Sequence, residues 1–188
     1  MKTRKIIYVF LFFICISKIN AQNTNELLSF MIYGSDHLIS ISLPNTWNVN
    51  MQYAQQNGLN GFFFLRNYNF NNSPAIIILS LEYNQNKIFE NWIENSINNF
   101  LNYYKGFSSE RLNWTINNQY GYNINVYKFK HNTRNLVQYC SYLDVGLNYF
   151  VQLYITIIDQ NKHDEMLDDF KRCLENSRFT GIGINTIE

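Results

Sequence analysis

Phe89-Glu90-Asn91-Trp92-Ile93-Glu94-Asn95-Ser96-Ile97-Asn98-Asn99-Phe100-Leu101-Asn102-Tyr103-Tyr104 carries its apolar side chains at three- and four-residue spacing. Phe89, Trp92, Ile93, Ile97, Phe100, Leu101 and Tyr104 therefore share one face, which predicts an amphipathic helix with that stripe against a core. Asn86 offers an N-cap oxygen ahead of it, and Gly106 can take the left-handed conformation that stops it. The segment decides the fold because the sequence on either side of it has a different period.

Downstream, Leu112, Trp114 and Ile116 alternate with polar residues, and three longer strands follow near Tyr120 to Lys130, Asn135 to Leu143 and Leu147 to Ile158. Their connections, His131 to Arg134 and Asp144-Val145-Gly146, are short and turn-rich, so the three strands read as an antiparallel meander. A second helix, from about Lys162 to Ser177, buries Met166, Leu167, Phe170 and Leu174, with acids crowding the first turns where the helix dipole favours them. Upstream, Leu38 to Leu43 alternates and stops at Pro44, Gly61 to Leu65 is a short apolar strand, and Ala75 to Leu81 is a near-continuous apolar run, the pattern of a strand covered on both faces. The order predicts an α+β domain: an antiparallel β-sheet of about six to seven strands flanked by helices. That domain is expected over 38–180, with 22–37 as a lead-in and 181–188 as a tail.

The first residues read differently. Lys2, Arg4 and Lys5 precede eleven apolar residues, Ile6 to Ile16, and then Ser17-Lys18-Ile19-Asn20-Ala21. This is the layout of a secretory signal peptide over 1–21, with cleavage expected between Ala21 and Gln22 and the product in the periplasm or outside the cell. The run is well short of the ~20 residues that cross a bilayer, and no later segment approaches that length. The whole chain has 15 basic and 14 acidic side chains. Cleavage removes four basic ones and leaves a mildly acidic domain with no Lys/Arg cluster, which disfavours nucleic acid as a partner.

Three strings carry a family resemblance: Ile39-Ser40-Ile41-Ser42-Leu43-Pro44-Asn45-Thr46-Trp47, Asp144-Val145-Gly146-Leu147-Asn148-Tyr149-Phe150-Val151-Gln152-Leu153, and the helix end Asn176-Ser177-Arg178-Phe179. Together with the order of elements they resemble the Mog1/PsbP-like superfamily, including bacterial exported domains of unknown function assigned to it. The resemblance implies an α/β/α sandwich whose members mostly bind other proteins. It brings no catalytic residue, and without a docking segment before Leu38 it implies no photosynthetic role.

Few residues suggest chemistry. Cys140 and Cys173 are the cysteines that remain after cleavage; an oxidising compartment permits a disulfide between them, and two small buried thiols is the other reading. His37, His131 and His163 are too scattered for a zinc set. Asp36-His37 with Ser35, Ser40 or Ser42 lacks the setting of a nucleophile, and Gly181-Ile182-Gly183 follows a helix instead of joining a strand to one. No cofactor and no enzymatic activity are therefore expected. Tyrosine is abundant in the meander, and rings with a polar tip suit interfaces. Trp47, Tyr127, Tyr139, Tyr142 and Tyr154 are the candidate binding surface, for another envelope or secreted protein. The alternative is a small apolar or amphipathic ligand held between the sheet and the helix from Asn86 to Tyr104.

Overall fold

A computed structural model describes residues 26–34, 37–84 and 86–181. The leader, its cleavage point, Ser35, Asp36 and the tail from Ile182 onward lie outside the described residues. In chain order the elements are β1 (Leu27–Tyr33), β2 (His37–Pro44), β3 (Trp47–Val49), α1 (Met51–Gln56), β4 (Gly61–Leu65), β5 (Ala75–Tyr83), α2 (Phe89–Tyr103), β6 (Phe107–Leu112), β7 (Asn123–His131), β8 (Val137–Asp144), β9 (Tyr149–Ile157), α3 (His163–Asn176) and β10 (Arg178–Gly181). Seven strands form one antiparallel sheet in the order β3-β4-β5-β9-β8-β7-β6, and β1, β2 and β10 form a second, with β2 in the middle. The architecture is an α+β sandwich. The meander β7-β8-β9 is present, and its last strand pairs with β5 from Ala75↔Ile157 to Tyr83↔Tyr149.

Period-two alternation explains the layers. Along β9, Val151, Leu153, Ile155 and Ile157 enter the larger core, which they share with Ile39, Ile41 and Leu43 of β2 and with Met166, Phe170 and Cys173 of α3. Phe150 and Tyr154, on the opposite face, pack with α2, whose Phe89, Trp92 and Ile93 are buried there. The apolar run of β5 follows from the same geometry: Ile77 and Leu79 face the larger core, while Ile78 packs against Ala54 of α1. The small sheet and α3 thus cover one face of the large sheet, and α1 and α2 cover the other.

Several expected boundaries shift. The stretch read as a lead-in contains β1, which pairs with β2 from Leu27↔Pro44 to Tyr33↔Leu38; Met31 and Tyr33 point outward on it, so no clean alternation marks it. Gly181, read as the start of the tail, closes β10. Asn86 does not cap α2 but occupies a left-handed turn position (φ 65°), and Ile88 takes the cap position without a side-chain bond. Trp114 and Ile116 lie beyond β6 in irregular backbone, although both pack on the core. Helix α1 is not among the expected elements; Asn50 caps it, its Oδ1 accepting from the Tyr53 N–H at 2.9 Å.

Candidate functional site

The stripe on α2 is not buried evenly. Phe89, Trp92 and Ile93 seat the N-terminal half on the sheet, and Glu82 holds Trp92 from the end of β5, its Oε2 accepting from the indole N–H at 2.7 Å. Burial works to raise the Glu82 carboxyl, but hydrogen bonds from Lys87 and Trp92 outweigh it and hold the group below its usual range. Ile97, Phe100 and Leu101, one and two turns further on, are only partly buried.

The reason lies in the strands beneath. Cys140 pairs with Tyr154, Tyr142 with Gln152 and Gln138 with Thr156 across β8 and β9, so the face under the second half of α2 offers amide, thiol and hydroxyl groups where the other face offers Leu and Ile. These side chains leave a cleft of about 570 Å³ between helix and sheet. A polar depression of about 450 Å³ lies elsewhere, beside Lys128 and His163.

One wall of the cleft is aromatic. Phe100 lies 4.6 Å from Phe129, 5.2 Å from Phe107 and 4.9 Å from Tyr104, ring centre to ring centre, an arrangement that fixes apolar area at van der Waals contact. The floor is polar and mutually bonded: Gln138 donates to Thr156 Oγ1 at 2.7 Å, and Gln152 donates to the Cys140 sulfur at 3.2 Å. Burial pushes the Cys140 thiol up to about 12 and Tyr154 to about 12, and raises Tyr142 further. A thiol that holds its proton in this way is a poor nucleophile. The cleft thus sets an aromatic wall against a polar floor whose Gln138 and Gln152 amides are already hydrogen-bonded.

The five tyrosine and tryptophan candidates do not form one surface. Trp47, Tyr139 and Tyr142 are buried, at 0%, 3% and 1% exposure. Trp47 and Tyr139 belong to the core on the α3 side, and the sheet is covered on both faces, so alternation moves a ring from one core to the other and not to solvent. Tyr142 and Tyr154 line the cleft, whereas Tyr127 faces the far side of α2 beside Ile93 and Ile97. Cys140 and Cys173 are free, buried thiols in different cores, one under α2 and the other under α3. The disulfide expected as a possibility is not formed, because the two side chains lie on opposite faces of the large sheet. Phe107, Phe129, Arg134, Leu136, Gln138 and Gln152 also line the cleft. Sequence reasoning does not single them out; the available signal is the mixed polar and aromatic character of the even positions in β8 and β9.

A second polar group lies on the opposite side. Tyr139 Oη and His163 Nε2 are 2.9 Å apart, and His163 Nδ1 lies 2.9 Å from Asp164 Oδ1. This chain of bonds ties the first turn of α3 to β8, and it contains no serine, threonine or cysteine that could act as a nucleophile. Among the described residues no three histidines, cysteines or carboxylates converge as a metal site, and no helix is long and apolar enough to cross a membrane.

No protein-family model matches the chain, and no curated protein matches it in sequence. Among solved structures it is similar to the crystal structure of LpqN, described as involved in cell envelope biogenesis of Mycobacterium tuberculosis. The TM-score is 0.53 at 14% identity, over 84% of this chain and 94% of that one. At that identity the likeness is one of fold.

Proposed function

We propose that this chain is an exported, non-enzymatic accessory protein of the cell envelope that binds a small amphipathic ligand between α2 and the sheet. The observation that carries the reading is the cleft itself, where a four-ring aromatic wall built on Phe100 stands over a floor of paired amide and thiol groups. The leader-like first 21 residues support export. The involvement of LpqN in cell envelope biogenesis supports an envelope setting, and the resemblance to the Mog1/PsbP-like superfamily is part of the same reading.

An uncharged fluorescent probe, N-phenyl-1-naphthylamine, tests the cleft. Binding with enhanced emission is expected. Ser96→Trp, which places a large ring on the cleft side of α2, should abolish it while leaving the thermal transition in place. Absence of binding by the folded wild type would reject the ligand reading and leave contact with another envelope protein as the reading to pursue, through affinity capture from the envelope.

A further inference from the structure

Among the described residues that line the cleft, one is charged, and its sign is positive. It is Arg134, an exposed residue of the turn between β7 and β8, and the lining includes no aspartate or glutamate. Its position is built into the hairpin between β7 and β8: His131 Nδ1 accepts from the backbone N–H of Arg134 at 3.1 Å and of Thr133 at 3.2 Å, which folds the turn back on itself. The His131 ring is held in turn against Phe107, centres 4.9 Å apart and nearly perpendicular. Gly106 makes room for it: a Cβ there would lie 3.1 Å from His131 Nε2, and the backbone is left-handed (φ 90°). The turn that presents Arg134 is thus anchored to the same aromatic wall that lines the cleft.

From Leu136 through Gln138 and Cys140 to Tyr142, alternate residues of the β8 side line the cleft over about 20 Å at the rise of an extended strand. At the Tyr142 end of that row, the Trp92 ring meets Tyr142 edge to face at 5.3 Å. A cleft with an aromatic wall and a single cationic side chain in its lining is complementary to a single-chain amphiphile with an anionic head. We infer that the ligand is of this class, with its chain along Phe100, Phe107 and Phe129 and its head on the Arg134 guanidinium. This inference rests on the cleft being the binding site and adds the charge and polarity of what occupies it.

Laurate and its uncharged glycerol ester, monolaurin, titrated calorimetrically below their micelle-forming concentrations, separate the two claims. Laurate should bind about tenfold or more tighter than monolaurin, the worth of one charge-assisted hydrogen bond. Arg134→Ala should bring laurate down to the monolaurin level, Arg134→Lys should restore most of the difference, and monolaurin should respond to neither. Arg134 is exposed, and the turn is held through its backbone, so these variants keep the fold. Equal binding of both ligands, unchanged in Arg134→Ala but lost in Ser96→Trp, would overturn the anionic head and leave the cleft standing. Failure of both ligands to bind the wild type would overturn the cleft reading and this inference with it.

Discussion

The indole N–H of Trp47 donates to Asp169 Oδ2 at 2.8 Å, joining the short edge strand β3 to the middle of α3 across 122 residues of chain. Both groups are buried, Trp47 wholly so. Burial raises the Asp169 carboxyl above its ordinary value of 3.8, and the bond from Trp47 and the Arg172 guanidinium at 3.5 Å offset only part of that. The pair fixes how α3 lies across the larger core, because a carboxylate placed there without its donor would be a buried acceptor without compensation.

Removing the acceptor should cost more than neutralising it. Asp169→Ala leaves the Trp47 N–H buried without a partner and should destabilise by about 1–3 kcal/mol in urea melts near neutral pH. Asp169→Asn keeps an oxygen for Trp47 and removes a carboxyl that binds its proton more tightly folded than unfolded. Such a group makes the native state less stable as pH rises from the unfolded-state value through the higher folded one. The advantage of wild type over Asp169→Asn should therefore shrink as pH climbs from about 4 upward. An advantage that grows with pH would contradict this environment for Asp169.

The strand that ends the described chain is held by one hydroxyl. Tyr122 Oη donates to the Phe179 carbonyl at 3.0 Å and accepts from the Phe179 N–H at 2.9 Å, satisfying the side of β10 that β2 does not. Tyr122→Phe removes both bonds and little packing, since the rings of Tyr122 and Phe179 stay edge to face. A loss of about 1–2 kcal/mol is expected, with faster amide exchange at Phe179 than at Ile155 in the centre of the large sheet. Equal protection at the two amides would show that β10 does not depend on the clamp.

The layers are legible in the sequence where periodicity acts alone. The three- and four-residue spacing from Phe89 to Leu101 and the alternation of Val151, Leu153 and Ile155 in the meander correspond to α2 and β9 within a few residues. Exposure is not legible. Alternation tells which residues share a face, but with helices or a second sheet on both faces, Tyr139 and Tyr142 are buried on opposite sides. The cleft depends on register: Cys140 lies against Tyr154 and Tyr142 against Gln152, and a shift of the hairpin would produce another floor from the same residues. Asn86 has the chemistry of a cap, but the loop uses its tolerance of positive φ instead.

The two remaining cysteines should behave as separate, inert thiols. Burial pushes each up to about 12, so at pH 8 the thiolate that reacts with iodoacetamide is scarce in the native protein. Protein beginning at Gln22, unfolded in guanidinium without reductant, should release two titratable thiols. A bridge needs Cα atoms within about 7 Å, and the large sheet lies between the cores that hold Cys140 and Cys173. Finding no free thiol after unfolding would mean that one of the two side chains leaves its strand or helix on the other face.

Helix α2 begins without the cap that its backbone is ready to accept. Ile88 sits in the N-cap position with extended dihedrals (φ −76°, ψ 130°), makes no side-chain cap bond and is 62% exposed. Aspartate there would accept from the first-turn N–H groups and place its charge at the positive end of the helix dipole. Because most of the Ile88 side chain is in water, little burial is lost, and Ile88→Asp should stabilise by about 0.5–2 kcal/mol, the usual worth of a cap. Ile88→Ala provides the comparison, since it trims the side chain without adding an acceptor and should change stability little. The gain should appear as a higher urea midpoint with an unchanged slope. It should also tighten probe binding slightly, because α2 is the wall of the cleft and a firmer N-terminal half holds Phe100 in place; a stabilised variant that bound less well would indicate that the helix must move to admit its ligand.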